Sequence, residues 1–222
     1  MFLPRRCVVC NKRLHDGEKV ICSHCLLANP MDGVFGSDYD NYMVDCLKGF
    51  GEVVRANALF EFHPKSAMAN LVYKMKYWGR AEIGVLMGRH AALVLSSRGF
   101  FDGVDMIVPV PLTRKRRRQR GFNQSELIAE GISDVTGISV NRRAFRRVRF
   151  TASQTTLRGE ERMSNVDGAF LLADPEALSV RHVLMVDDIF TTGGTMSACM
   201  REISANTSGT RFSILTLGLT KS

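Results

Sequence analysis

Two neighbouring carboxylates, Asp187 and Asp188, stand between an apolar run, "HVLMV", and a loop of small polar residues, Thr191, Thr192, Gly193, Gly194 and Thr195. Ionised carboxylates only accept hydrogen bonds, so hydroxyl groups are their natural partners on a ligand. A glycine loop that opens a helix offers backbone amides and a positive helix end to an anion, and threonine hydroxyls add donors. Two acids beside a phosphate site repel its ligand unless they hold another part of the same molecule. A ribose 5-phosphate has both parts, vicinal hydroxyls and a phosphate. The loop lacks the lysine of a Walker-type nucleotide loop, which excludes that alternative.

A second group lies in "IVPVPLTRKRRRQRGFNQSE". A turn, Val110, Pro111, Leu112 and Thr113, is followed by six basic residues between Arg114 and Arg120. Together with "RRAFRRVR" (142–149) this run holds eleven of the thirty lysines and arginines in a chain of net charge +8. Such clusters attract polyanions, whether nucleic acid or phosphorylated small molecules. Arginine forks suit pyrophosphate, but six cations exceed what one pyrophosphate needs, and the surplus points to a longer polyanion. A Mg²⁺ bound with a pyrophosphate would rely mainly on substrate oxygens.

The third group is cysteine. Cys7 and Cys10 form "CVVC", and Cys22 and Cys25 form "CSHC". Two such pairs at short separation match a Cys₄ site for a structural Zn²⁺. So short a segment cannot bury a core of its own, so the metal would supply its folding energy.

The elements that must carry these groups follow from hydrophobic period. "VDMIVPVP", "HVLMV" and "RFSILTLGLT" read as buried strands. "KSAMANLVYKMKYWG", "AEIGVLMGRHAALVLSSRG", "NQSELIAEGISDVTG" and "GTMSACMREISANTSG" carry helical spacing, with Asn123 or Ser125 as an N-cap and Gly137 as a stop. Val53, Leu59, Phe60 and Phe62 suggest a further strand broken by Pro64. Alternation of strands and helices predicts an α/β fold, with a mostly parallel sheet flanked by helices. The expected organisation is a Cys₄ module over 1–30, a connecting segment over 31–62 and the α/β domain over 63–222. No apolar run reaches the 18 residues of a membrane span. The first residues lack a signal peptide's apolar core, so a cytoplasmic chain is expected.

"VLMVDDIFTTGGT" resembles the 5-phosphoribosyl-1-pyrophosphate (PRPP) motif of type I phosphoribosyltransferases. The order of "YKMKYWGR", "VPVPLTRKRRRQRGFNQSELIA", "SQTTLRGEERMSNVDGAF" and that motif, behind two cysteine pairs, resembles the ComF family of competence-associated proteins over nearly the whole chain. The resemblance implies that Asp187 and Asp188 hold the ribose hydroxyls of PRPP and that the Thr191–Thr195 loop holds its 5-phosphate. It implies that Val110 to Thr113, with Arg116 and Arg120, serve the pyrophosphate and its Mg²⁺. Lys74, Lys76, Tyr77, Phe122, Asn123, Gln124, Gln154 and Arg162 are its remaining motif residues, and 143–170 would form a lid. Phe122 is read either as a core cap or as a base-stacking ring. The implied partners are PRPP, imported single-stranded DNA and a competence protein such as a DNA-uptake helicase or pore, which could draw the chain to the inner face of the membrane. No residue stands out as an acceptor's general base. A PRPP-sensing protein and a transferase therefore both stand, as does a salvage enzyme with no DNA role.

Overall fold

The structure, a computed structural model, describes residues 5–28, 33–147 and 169–220. Four strands form one parallel sheet: β1 (Glu52–Glu61), β2 (Met106–Pro109), β5 (His182–Phe190) and β6 (Arg211–Leu219), in the order β1-β6-β5-β2. A small antiparallel pair, β3 (Phe145–Arg147) and β4 (Phe170–Leu172), stands apart from it. The helices are α1 (Ser23–Ala28), α2 (Tyr42–Leu47), α3 (Ala67–Tyr77), α4 (Glu82–Ser96), α5 (Arg114–Arg120), α6 (Gln124–Thr136) and α7 (Gly194–Asn206). This is the expected α/β architecture.

Strands covered on both faces read as continuous apolar runs, and the side chains here divide by parity. Leu184 and Val186 of β5, with Leu215 and Leu217 of β6, face a core built from α3, α4, α6 and the cysteine segment. Val183 and Met185, with Phe212 and Ile214, face a second core built from α2, α7 and the β3–β4 pair. The cysteine segment thus shares the domain's apolar core.

Residues 31–62, expected as a connecting segment ending in a strand, supply α2 and the edge strand β1. The stretch preceding β1 covers that edge. The side chain of Asn57 accepts from the Val34 amide (3.1 Å) and donates to Asp38, while the Val34 amide also donates to Ala58 O at 2.7 Å. A covered edge leaves no row of strand groups free to pair with another chain.

Four of the described helices start on a side-chain cap: Asn41 accepts from the Met43 and Val44 amides, Ser66 from Ala69, Thr113 from Arg116 and Asn123 from Ser125. Gly121 and Gly137 close α5 and α6 in the left-handed conformation, which glycine adopts without a Cβ penalty.

Helices α4 and α6 cross at two glycines. A methyl on Gly88 would lie 2.1 Å from Ile128 O, and one on Gly131 would lie 2.1 Å from Val85 O. Both obstacles are backbone and cannot swing aside. Alanine is ordinarily the better helix former by about 1 kcal/mol. Here Gly131→Ala is expected to reverse that sign and destabilise the fold by about 1–3 kcal/mol through overpacking. Urea denaturation of the variant beside the parent checks this, and an unchanged or higher midpoint would refute it.

Candidate functional site

The site exists because two neighbouring strands end at different heights. β2 stops at Pro109, paired with Val186, and the last ladder bond runs from the Val110 amide to Val186 O at 2.9 Å. Pro111 has no amide to continue the ladder. β5 runs on through Asp187, Asp188 and Ile189 to Phe190, still paired with β6. Beyond Val186 its other side is open. A cleft of about 300 Å³ fills that notch, lined by both carboxylates, Lys76, Arg116, Arg120 and Arg147 among others.

Each carboxylate has its own support. Asp188 forms an ion pair with Lys76 of α3 at 2.9 Å, both side chains being largely buried. Asp187 accepts from Ser125 Oγ at 2.9 Å and from the Asp188 amide at 2.8 Å, both on Oδ1. Burial, then the neighbouring Asp188 charge, pushes the Asp187 carboxyl up to about 7, against the pull of these hydrogen bonds and of Lys76. Ser125 is positioned by the cap of α6, since Asn123 is buried and its amide donates to Val110 O at 3.0 Å. That bond also fixes the loop leaving β2.

The floor of the cleft is the start of α7. Gly193 caps this helix at φ +78 and supplies no side-chain cap to its first amides. A methyl there would lie 2.9 Å from Phe190 Cζ, so the position excludes a side chain by space as well as by conformation. Thr191 and Thr195 line the cleft, while Thr192 is exposed outside its lining. Val110 and Leu112 line it from the β2 side, and Thr113 caps α5.

The basic run divides its work. Arg116 and Arg120 face the cleft, Arg117 pairs with Glu126 at 2.7 Å, and Arg120 donates to Gln124 Oε1 at 2.9 Å. Like Ser125 behind Asp187, Arg147 at the end of β3 is a site group that sequence reasoning missed. Its guanidinium lies 4.9 Å from the Phe170 ring centroid, and burial, then Arg116, lowers its pKa. Two like charges held near one another in a cleft favour an anion between them. Only its membership of the second basic run signalled it.

Other expected residues are placed elsewhere. Lys74 donates to Val8 O at 2.7 Å and lies 5.7 Å from the Trp78 ring, so it braces the cysteine segment instead of facing the cleft. Phe122 packs against the core. Tyr77 stands beside the cleft against Arg120. Gln154 and Arg162, and most of the expected lid, lie outside the described residues.

Cys7, Cys10, Cys22 and Cys25 bring their sulfurs within 4.8 Å of one another, and Cys10 and Cys22 lie 3.7 Å apart. A tetrahedral site with metal–sulfur bonds of about 2.3 Å requires sulfurs about 3.8 Å apart, so the set fits a metal ion. Burial raises the Cys7 thiol, but the amides of Cys10, Cys22 and Val9 outweigh it and bring the thiol down to about 7. The Cys22 and Cys25 thiols are pushed up, chiefly by burial.

No protein-family profile matches the chain. Among curated proteins it is 30% identical over 207 residues to the DNA utilization protein YhgH of Escherichia coli K12, covering 89% of each chain. The chain belongs to the ComF family. It is also 28% identical over 206 residues to competence protein F of Haemophilus influenzae, covering 88% of this chain and 89% of that one. The acidic pair, the glycine loop and the cysteine pairs of this ComF chain therefore sit in a sequence related along most of its length to those proteins.

The raised carboxyl sets a pH dependence. With the folded value above the unfolded one, Asp187 remains protonated in the fold while the unfolded chain ionises. Its contribution is fully present below about pH 4 and is lost as pH rises toward about 7. Asp187→Asn lacks this loss. It should gain stability over the parent progressively between pH 4 and 7 and keep a constant advantage above that range. Denaturant midpoints measured at pH 4, 5.5, 7 and 8 check this, and a pH-independent difference would refute the assignment.

Proposed function

We propose that this chain binds PRPP with Mg²⁺ in the cleft at the carboxyl edge of its sheet, on a type I phosphoribosyltransferase fold. We further propose that it serves natural competence by handling imported single-stranded DNA. One observation carries the first part: hydroxyl acceptors, an uncapped helix start and three arginines converge in a single cleft of about 300 Å³. Asp187 and Asp188 take the ribose 2- and 3-hydroxyls, and the Thr191–Thr195 loop takes the 5-phosphate. The Val110–Thr113 loop, Arg116, Arg120 and Arg147 serve the pyrophosphate. A Mg²⁺ held by the oxygens of PRPP would neutralise part of its charge. Bound hydroxyls favour the ionised carboxylate, so Asp187 would lose a proton on binding below neutral pH.

The relatives' names, DNA utilization and competence, favour DNA handling over nucleotide salvage. That reading implies a partner in the uptake machinery, such as a helicase or pore. No helix among the described residues is long and apolar enough to cross a membrane, so such a partner would be what holds the chain at the inner face. The cysteine cluster is read as a structural Zn²⁺ site, its four thiolates closing the coordination shell.

Asp188→Asn is expected to weaken PRPP binding in the presence of Mg²⁺ by about 1.5–3 kcal/mol, the worth of one charge-assisted hydrogen bond. Calorimetric titration checks it, with thermal melting to confirm the fold, and unchanged affinity would reject the ribose assignment. For the metal, elemental analysis of protein purified without added zinc should find about one zinc per chain, and Cys22→Ser should lower that content. Metal-free protein with native melting behaviour would contradict the site.

A further inference from the structure

A second and larger cleft, about 650 Å³, opens beside the first and is lined by Lys76, Tyr77, Gly79, Arg116, Gln119 and Arg120. Lys76, Arg116 and Arg120 line both clefts, so a row of cations joins them. Beyond that row the cleft is lined by one aromatic ring, Tyr77. Tyr77 is 68% exposed and its neighbour Trp78 is 72% exposed. Tyr77 ends a run of rings that begins at buried Phe62 and passes through Tyr73, with centroids 6.0 and 6.4 Å apart. The Arg120 guanidinium lies 5.5 Å from the Tyr77 centroid and is held there by the Gln124 carboxamide. The ring is therefore pre-oriented while most of its surface stays in water. Gln119 adds an amide donor and acceptor at the rim.

A flat, wet ring flanked by cations fits a ligand with a π-face and a negative charge close together. Simple phosphate would use the cations and leave the ring unexplained, while an apolar ligand would meet a charged rim. A nucleotide satisfies both, since bases stack on tyrosine and on arginine planes and the phosphate takes the cations. We propose that this second cleft holds one nucleotide unit, its base on Tyr77 and its phosphate on Arg116, Arg120 and Lys76. The inference deepens the DNA-handling reading above and rests on it for the source of that unit, a strand instead of a free nucleotide.

Trp78 is the chain's one tryptophan and lies in sequence between the lining residues Tyr77 and Gly79, so its emission is the readout. The parent, Tyr77→Leu and Tyr77→Phe are titrated at low salt with dAMP, with deoxyribose 5-phosphate and with a ten-residue deoxyadenosine strand. The parent should bind dAMP and the strand, and deoxyribose 5-phosphate more weakly. Tyr77→Leu should weaken dAMP and strand binding about 5- to 150-fold, the range for loss of one stacked base, and Tyr77→Phe should restore them. Equal binding of dAMP and the strand by Tyr77→Leu and the parent would overturn the cleft and leave the DNA-handling reading standing. Binding of dAMP through Tyr77 with no strand binding would uphold the cleft for free nucleotides and remove that reading. Parent protein that binds dAMP no better than deoxyribose 5-phosphate would overturn the stacking role.

Discussion

Two adjacent carboxylates at the end of a buried strand are the constraint around which the rest is arranged. Charges taken from water must be paired or hydrogen-bonded, because an uncompensated buried charge costs more than a fold can carry. Lys76 answers Asp188 and Ser125 answers Asp187, and each answer fixes an element. Lys76 requires α3 at one height along the sheet. Ser125 requires the first turn of α6 to reach β5, and the close crossing of α4 and α6 at Gly88 and Gly131 holds α6 there. The compensation is incomplete, since the Asp187 carboxyl is held well above its ordinary range. Perturbed titratable groups cluster at functional sites.

The opposite charge is concentrated with equal deliberateness. Arg116, Arg120 and Arg147 converge where β2 ends early, and Arg147 is raised in energy by burial and by Arg116. A cleft with acids on one side and crowded cations on the other suits the ligand proposed above, which carries hydroxyls at one end and phosphates at the other. The uncapped start of α7 between them is the neutral part of that arrangement, contributing dipoles in place of charge.

Much of the sheet and its helices was legible in sequence, because buried parallel strands and amphipathic helices carry strong period signals. The stop at Gly137 was legible from turn chemistry, and the N-cap was narrowed to Asn123 or Ser125, of which Asn123 is the cap. β1 was visible as an apolar run, but its membership of the main sheet was not, since the Asn57 side-chain bonds that cover its edge leave no pattern in sequence. The acidic pair and glycine loop were visible because local order alone builds them. Arg147 and Ser125 were hidden as site groups for the opposite reason: tertiary contact brings Arg147 to the cleft from a two-stranded ribbon and Ser125 to Asp187 from a helix end. Lys74 and Lys76 look alike two positions apart on one helix, yet 200° of helical rotation sends one to Val8 and the other to Asp188.

That divergence gives α3 a mechanical character. Within four residues the helix grips the cysteine segment through Lys74, neutralises an acid through Lys76 and carries the exposed ring of Tyr77. A helix of this length transmits a shift at one point to its neighbours nearly undiminished, because the packed core around it deforms little. The cysteine segment is therefore a splint as well as a module. An ion held by the four sulfurs would stiffen the segment that Lys74 grips, and through α3 the element that brings Lys76 and Tyr77 to the clefts.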